Sequence, residues 1–196
     1  MKKTILTIIL TAVICFAVVG TTFAFLVDKT EPIKNTFTVG NVDITLTETD
    51  PTPDDTTDEN KYKMVPGADI AKDPTVTVKA NSEACWLFVK VEKSNNIDTY
   101  LNVVMDSGWT LLDGTTDVYY QSVASATTDQ SFAVLKDNKV FVKADVTKAM
   151  LDSIKTQGPT LTFTAYAVQQ DGITTAADAW SVATTGNLPA DTTVAP

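Results

Sequence analysis

The sequence predicts an all-β fold: a jelly-roll-like, two-sheet sandwich with one or two short peripheral helices. Three observations point there. Threonine and valine recur in alternation along short runs, the mark of half-buried strands. Gly, Asp and Asn turn residues separate those runs at near-regular spacing. Apolar residues make up 44% of the 196 residues against 20% charged, enough for a core without disulfides.

The chain opens with Met1-Lys2-Lys3 and an almost wholly apolar run over 4–19, followed by Gly20-Thr21-Thr22-Phe23-Ala24. A positive start, an apolar centre and small residues before a cut form a secretory signal peptide, so residues 1–24 are expected to leave by cleavage between Ala24 and Phe25. The run is short for a retained span of ~20 residues. Ile14 precedes Cys15 where a lipoprotein needs a small residue. The trimmed chain is expected to be extracellular, secreted or at the cell surface, with no membrane contact.

Residues 25–35 then form a new N-terminal segment, and residues 36–183 the domain. Phe37 and Val39 share one parity, and Val42, Ile44 and Leu46 the other, which predicts a bulge at Gly40-Asn41. An acidic, proline-containing loop covers 49–60. Clustered carboxylates suit calcium, but the spacing is not that of an EF-hand loop and its turn glycine is missing, so no metal is expected. Alternation returns over 75–79. Residues 84–92 are apolar on both parities, which predicts a central strand covered on both faces. Further strands are expected over 100–105, 118–123, 131–136, 139–144 and 160–168, with tight hairpin turns at Asp113-Gly114 and Asp137-Asn138. Helical spacing of Val146, Met150, Leu151 and Ile154 predicts a helix over 145–157. Thr175 to Asp178 reads as a capping box opening a second helix through Trp180. Both are expected at the sheet edges. The Thr/Ala/Pro/Asp tail over 184–196 reads as disordered. Its Leu188-Pro189-Ala190-Asp191 starts like a sortase signal but lacks the Thr-Gly that should follow.

Composition excludes several functions. A net charge of −9 repels phosphate backbones and argues against nucleic acid. The chain has no histidine, which removes the commonest general base and zinc ligand. No Ser-x-x-Lys motif, glycine-rich phosphate loop or paired carboxylates in a cleft pattern stands out. No catalytic residue, cofactor or enzymatic activity is expected. Cys15 departs with the leader, leaving Cys85 alone, and its neighbours Trp86, Leu87 and Phe88 favour burial.

Several segments in order carry a resemblance. Thr22-Phe23-Ala24-Phe25-Leu26-Val27-Asp28 precedes Asn35-Thr36-Phe37-Thr38-Val39-Gly40-Asn41-Val42-Asp43-Ile44. Val65-Pro66-Gly67, Ala84-Cys85-Trp86-Leu87-Phe88 and Ala165-Tyr166-Ala167-Val168 through Trp180 follow. Together they resemble the TasA/camelysin family of Gram-positive exported proteins. The resemblance implies cleavage by the signal peptidase SipW, a jelly roll, and polymerisation into biofilm-matrix or pilus-like fibres. It also implies donor-strand exchange, in which one subunit's N-terminus fills a groove in the next. Part of that family is labelled a casein-cleaving metalloprotease. Without His-Glu-x-x-His, or any histidine, this chain departs from that label.

The residues make a parallel argument. Cleavage frees Phe25-Leu26-Val27 at a chain end, which gains little in water. Laid against another subunit's sheet it would pair its backbone and bury Phe25, Val27 and Ile33, with Pro32 interrupting the ladder. The expected partner is a second copy of the chain in a head-to-tail filament. The alternatives are that residues 25–27 complete their own subunit, that the protein is a monomeric surface adhesin, or that it is a camelysin-like protease.

Overall fold

The computed structural model describes residues 41–49, 62–94 and 96–187. They belong to the second of the two units into which the chain divides, Val39–Pro196. The strands are β1 (Ile44–Thr47), β2 (Asp69–Ala71), β3 (Thr75–Val78), β4 (Cys85–Lys93) and β5 (Leu101–Asn102). They continue with β6 (Thr110–Leu111), β7 (Val118–Val123), β8 (Gln130–Ala133), β9 (Lys139–Val142) and β10 (Leu161–Gln169). Among the described residues three short α-helices accompany them: α1 (Ile97–Tyr100), α2 (Lys148–Ser153) and α3 (Ala176–Thr185). All pairing is antiparallel, in three sheets ordered β1-β3-β8, β10-β4-β7-β6 and β2-β9-β5. The chain is an all-β sandwich with short helices, as the alternation predicts.

The first two sheets face each other across the main core. Val76 and Val78 of β3 meet Cys85, Leu87 and Val89 of β4, all at most 1% exposed. β4 is the axis of this arrangement. Its odd residues fill the core between the sheets, while Trp86 and Phe88 point to the opposite face. That face is covered by α3, whose Trp180 ring lies 5.3 Å from Phe88 and 5.1 Å from Tyr166. The two-sided apolar pattern of 84–92 thus has a partner on each side, as expected. A third cluster, around Ile97, Tyr100, Val142 and Val146, lies under the third sheet.

Local chemistry sets the ends of the elements. Thr175 caps α3, accepting a hydrogen bond from Asp178 N at 3.1 Å and donating to its carboxylate at 2.6 Å. The helix closes on Gly186, whose φ of +74° suits only glycine without strain. It therefore includes Thr184 and Thr185, which the composition assigns to the tail. It also packs on a sheet face, not an edge, because Ala176, Ala179 and Trp180 cover the apolar residues that β4 and β10 present there.

Other boundaries move for identifiable reasons. The helix expected over 145–157 is confined to α2, because Thr147, not Asp145, caps it by accepting from Met150 N at 3.3 Å. The turn at Gly114 joins paired strands β6 and β7 and is a hairpin. Asp137 and Asn138 do adopt left-handed φ values of 54° and 52°, but the strands they join part company. β8 pairs with β3, and β9 with β2 and β5, so this turn is a crossing between sheets and not a hairpin. The strand expected over 100–105 shrinks to β5, because Ile97 and Tyr100 bury one face of α1 just before it. Gly40 of the expected bulge lies outside the described residues, while Val42 and Ile44 do pack against the main core.

Candidate functional site

A sandwich has two long seams where the edge strands of its sheets meet, and here the two differ. On one, Trp109 and the 104–106 segment bridge the sheets: Asp106 N donates to Val134 O at 2.9 Å, and Lys136 N to Val104 O at 3.0 Å. On the other, β1 and β10 are the outermost strands of their sheets and do not pair.

Hydrogen-bond phase identifies which backbone groups this leaves open. Lys79 N donates to Asp43 O at 2.9 Å, so Asp43, Thr45 and Thr47 face β3. The N–H and C=O of Ile44 and Leu46 therefore point to the outer side of β1. Likewise Gln170 N donates to Ala84 O at 2.8 Å and Ser94 N to Thr160 O at 3.0 Å, so the even residues of β10 face β4. The main-chain groups of Leu161, Phe163, Ala165 and Ala167 point outward. Among the described residues, no strand pairs with either edge. The side chains report the same opening. Core residues on β3 and β4 are sealed, yet Ile44 on β1 and Leu161, Phe163, Ala165 and Ala167 on β10 are only partly buried. Leu46 is 36% exposed.

At one end of this seam, beside Leu46 of β1 and Leu161 to Phe163 of β10, opens a groove of about 1150 Å³ that continues toward the third sheet. Leu161 and Phe163 contribute to it from the main core, and Met64, Ile70, Leu151 and Ile154 from the third cluster. Between them lies a buried polar group. Lys72, 8% exposed, places Nζ 2.7 Å from Glu48 Oε1. The same Oε1 accepts from the Tyr62 hydroxyl at 2.7 Å. The ammonium lies 4.7 Å from the Tyr62 ring centroid and 5.5 Å from that of Phe163. A buried charge requires such partners, since water is excluded. Thr49, one residue beyond Glu48, donates from N at 2.9 Å and Oγ1 at 2.7 Å to Asp73, holding that carboxyl below its usual range. Three lysines and a single glutamate line the groove among the described residues, although the whole chain is strongly acidic.

Sequence reasoning did not find Lys72, Glu48 or Tyr62. Their separation of 24 and 14 residues from Glu48 carries no local pattern, and only the β1–β3 pairing brings them together. The expected cleavage pair Ala24 and Phe25, the donor residues Phe25, Leu26, Val27 and Ile33, and the acidic loop over 50–60 lie outside the described residues. Cys85 is where its neighbours suggest, fully buried, and burial pushes its thiol up to about 11. Among the described residues, no group of three potential metal ligands converges. A second, polar hollow of about 460 Å³ near Glu92, Asp98 and Asp117 already pairs Lys90 with Glu92 and Lys93 with Asp98. Comparison with family models, with curated proteins and with solved structures finds no match.

Proposed function

We propose that this chain is an exported structural subunit that polymerises head to tail, the N-terminal segment of one copy lying in the β1/β10 groove of the next. The observation that carries this reading is the pair of edges left unpaired among the described residues, beside a groove whose apolar lining is interrupted by the Lys72–Glu48 pair. An open edge is a template for an added strand, and soluble proteins ordinarily cover, charge or shorten it. Here the edge of β10 is nine residues long and borders the core. An extended segment laid there gains main-chain bonds from the edge and pockets for alternate side chains.

The expected leader supplies such a segment once cut. Laid out as a strand it would carry Phe25, Val27 and Ile33 on one face, and burying each is worth about 1.5–3 kcal/mol before the cost of ordering. Donor and acceptor are different surfaces, so the contact is heterologous and propagates instead of closing. Before cleavage the segment is held beside the apolar leader, which confines growth to exported material. This reading accords with the TasA/camelysin resemblance, whose members it would join as an extracellular fibre protein processed by a SipW-type peptidase.

The test is electron microscopy of the chain beginning at Phe25, concentrated, beside a version lacking 25–34. Filaments from the first and folded monomers from the second are expected. Filaments from the shortened chain would exclude donor-strand assembly. A shortened chain with a lowered melting temperature, beside a monomeric longer one, would mean that the segment completes its own subunit. Chelator-sensitive casein cleavage by filament-free protein would favour the protease reading.

A further inference from the structure

Lys72 and Glu48 interrupt an otherwise apolar groove. Lys72 lies two residues beyond Ile70 of the third cluster and packs its ammonium toward Phe163 of the main core. The lining therefore reads apolar, charged, apolar from the third cluster to the main core. Both bonds to the Glu48 carboxylate fall on Oε1 among the described residues, leaving Oε2 able to accept. The Lys72 ammonium carries three N–H donors and gives one to Glu48.

The segment expected to enter has the same order. On a strand, residues two apart share a face, so the face carrying Phe25, Val27 and Ile33 also carries Lys29 and Glu31. A strand that buries its two apolar ends must turn those two charges into the groove between them. Left unpaired there, each would carry a large desolvation penalty. Among the described residues, the charged side chains of the groove that are themselves largely buried are Lys72 and Glu48, with side-chain exposures of 9% and 18%.

We propose that Lys72 and Glu48 are the register-setting residues of assembly, receiving Glu31 and Lys29 of a second copy in a four-charge cluster of alternating sign. The inference rests on the fibre-subunit reading and adds to it a fixed alignment. A one-residue slip turns the wrong face inward, and a two-residue slip sets like charges together. The buried pair thus acts mainly in specificity.

The test exchanges charges on each side separately. K29E/E31K reverses the entering segment and leaves the described body unaltered. E48K/K72E reverses the acceptor while keeping an internal ion pair, and circular dichroism checks that it folds. Elongation of preformed, trimmed filaments by each monomer is followed by light scattering and microscopy. Each reversal alone is expected to slow elongation roughly 100-fold, since like charges meet in a desolvated site. The chain carrying all four changes is expected to elongate its own filaments at close to the wild-type rate. Unaltered elongation by K29E/E31K on wild-type ends would overturn the charge register. So would a fourfold variant no faster than either reversal, with wild-type filaments growing normally. Failure of the wild-type trimmed chain to form filaments at all would instead remove the fibre reading beneath it.

Discussion

The indole N–H of Trp109 donates to the carbonyl oxygen of Ala133 at 2.8 Å, tying the segment before β6 to the end of β8. Trp109 is 7% exposed and belongs to the main core, so one side chain both fills the space between the sheets and staples their edges together. The β1/β10 seam has no equivalent among the described residues. Replacing Trp109 by Phe keeps most of the apolar volume but leaves the Ala133 carbonyl without its donor. A loss of about 1–3 kcal/mol is expected, read as a lower urea midpoint with an unchanged slope. Trp109→Ala adds a cavity and should cost about 3–5 kcal/mol. If W109F unfolded at the wild-type midpoint, the staple would hold nothing.

The open seam makes the opposite prediction for Leu46. Its side chain is already 36% exposed, so Leu46→Ser should cost the monomer only about 1–2 kcal/mol, less than a sealed core leucine. In a filament the same side chain would face the added strand. Growth of L46S filaments should therefore slow by at least about tenfold, the loss of one buried leucine contact. Thermal melts of the monomer and seeded growth curves measure the two effects on one preparation. Equal growth rates would place the added strand elsewhere.

Cys85 gives a pH dependence with a definite sign. Its thiol is pushed up to about 11 by burial, from an ordinary value of 9.0. Between these values the unfolded chain loses its proton while the folded chain keeps it, so the unfolded state binds fewer protons and stability falls as pH rises through that window. Below pH 9 the effect vanishes. Urea midpoints at pH 8 and pH 10.5 should converge when Cys85 is replaced by Ala, other groups titrating alike in both proteins. A thiol reagent at pH 8 should label the native protein only at its unfolding rate.

The strand alternation, the two-faced β4 and the Thr175 cap, though not the reciprocal bond of a full capping box, were legible because each depends on residues within one element. Partition of the strands into sheets was not. Asp137 and Asn138 have the backbone of a tight hairpin turn, yet nothing local says that β8 turns to β3 while β9 turns to β2. The groove was illegible for the same reason. Leu46 and Phe163 look like ordinary inward strand residues, and only the edge positions of β1 and β10 leave them uncovered. Lys72 sits beside Asp73 in Ala71-Lys72-Asp73, and neither charge gives a hint of burial.

Thr49 and Asp73 fix the point where β1 leaves the sheet, beside the buried Glu48–Lys72 pair. Two bonds from Thr49, the hydroxyl first and the backbone N–H second, hold the Asp73 carboxyl below its ordinary value of 3.8. A depressed carboxyl stabilises the fold above its unfolded pKa, and that contribution disappears as pH falls through the folded value. Asp73→Ala should cost about 1 kcal/mol at pH 7, a modest figure because both residues face solvent. The penalty should shrink as pH falls below the ordinary carboxyl range and through the lowered folded value, where the wild-type carboxyl is itself being protonated. Because Glu48 is the neighbour of Thr49, the substitution should also loosen the Tyr62 hydroxyl from Glu48, visible as faster exchange of the Thr47 and Thr49 amide protons. A penalty that persisted undiminished at low pH would assign the loss to packing instead of to the charged hydrogen bonds.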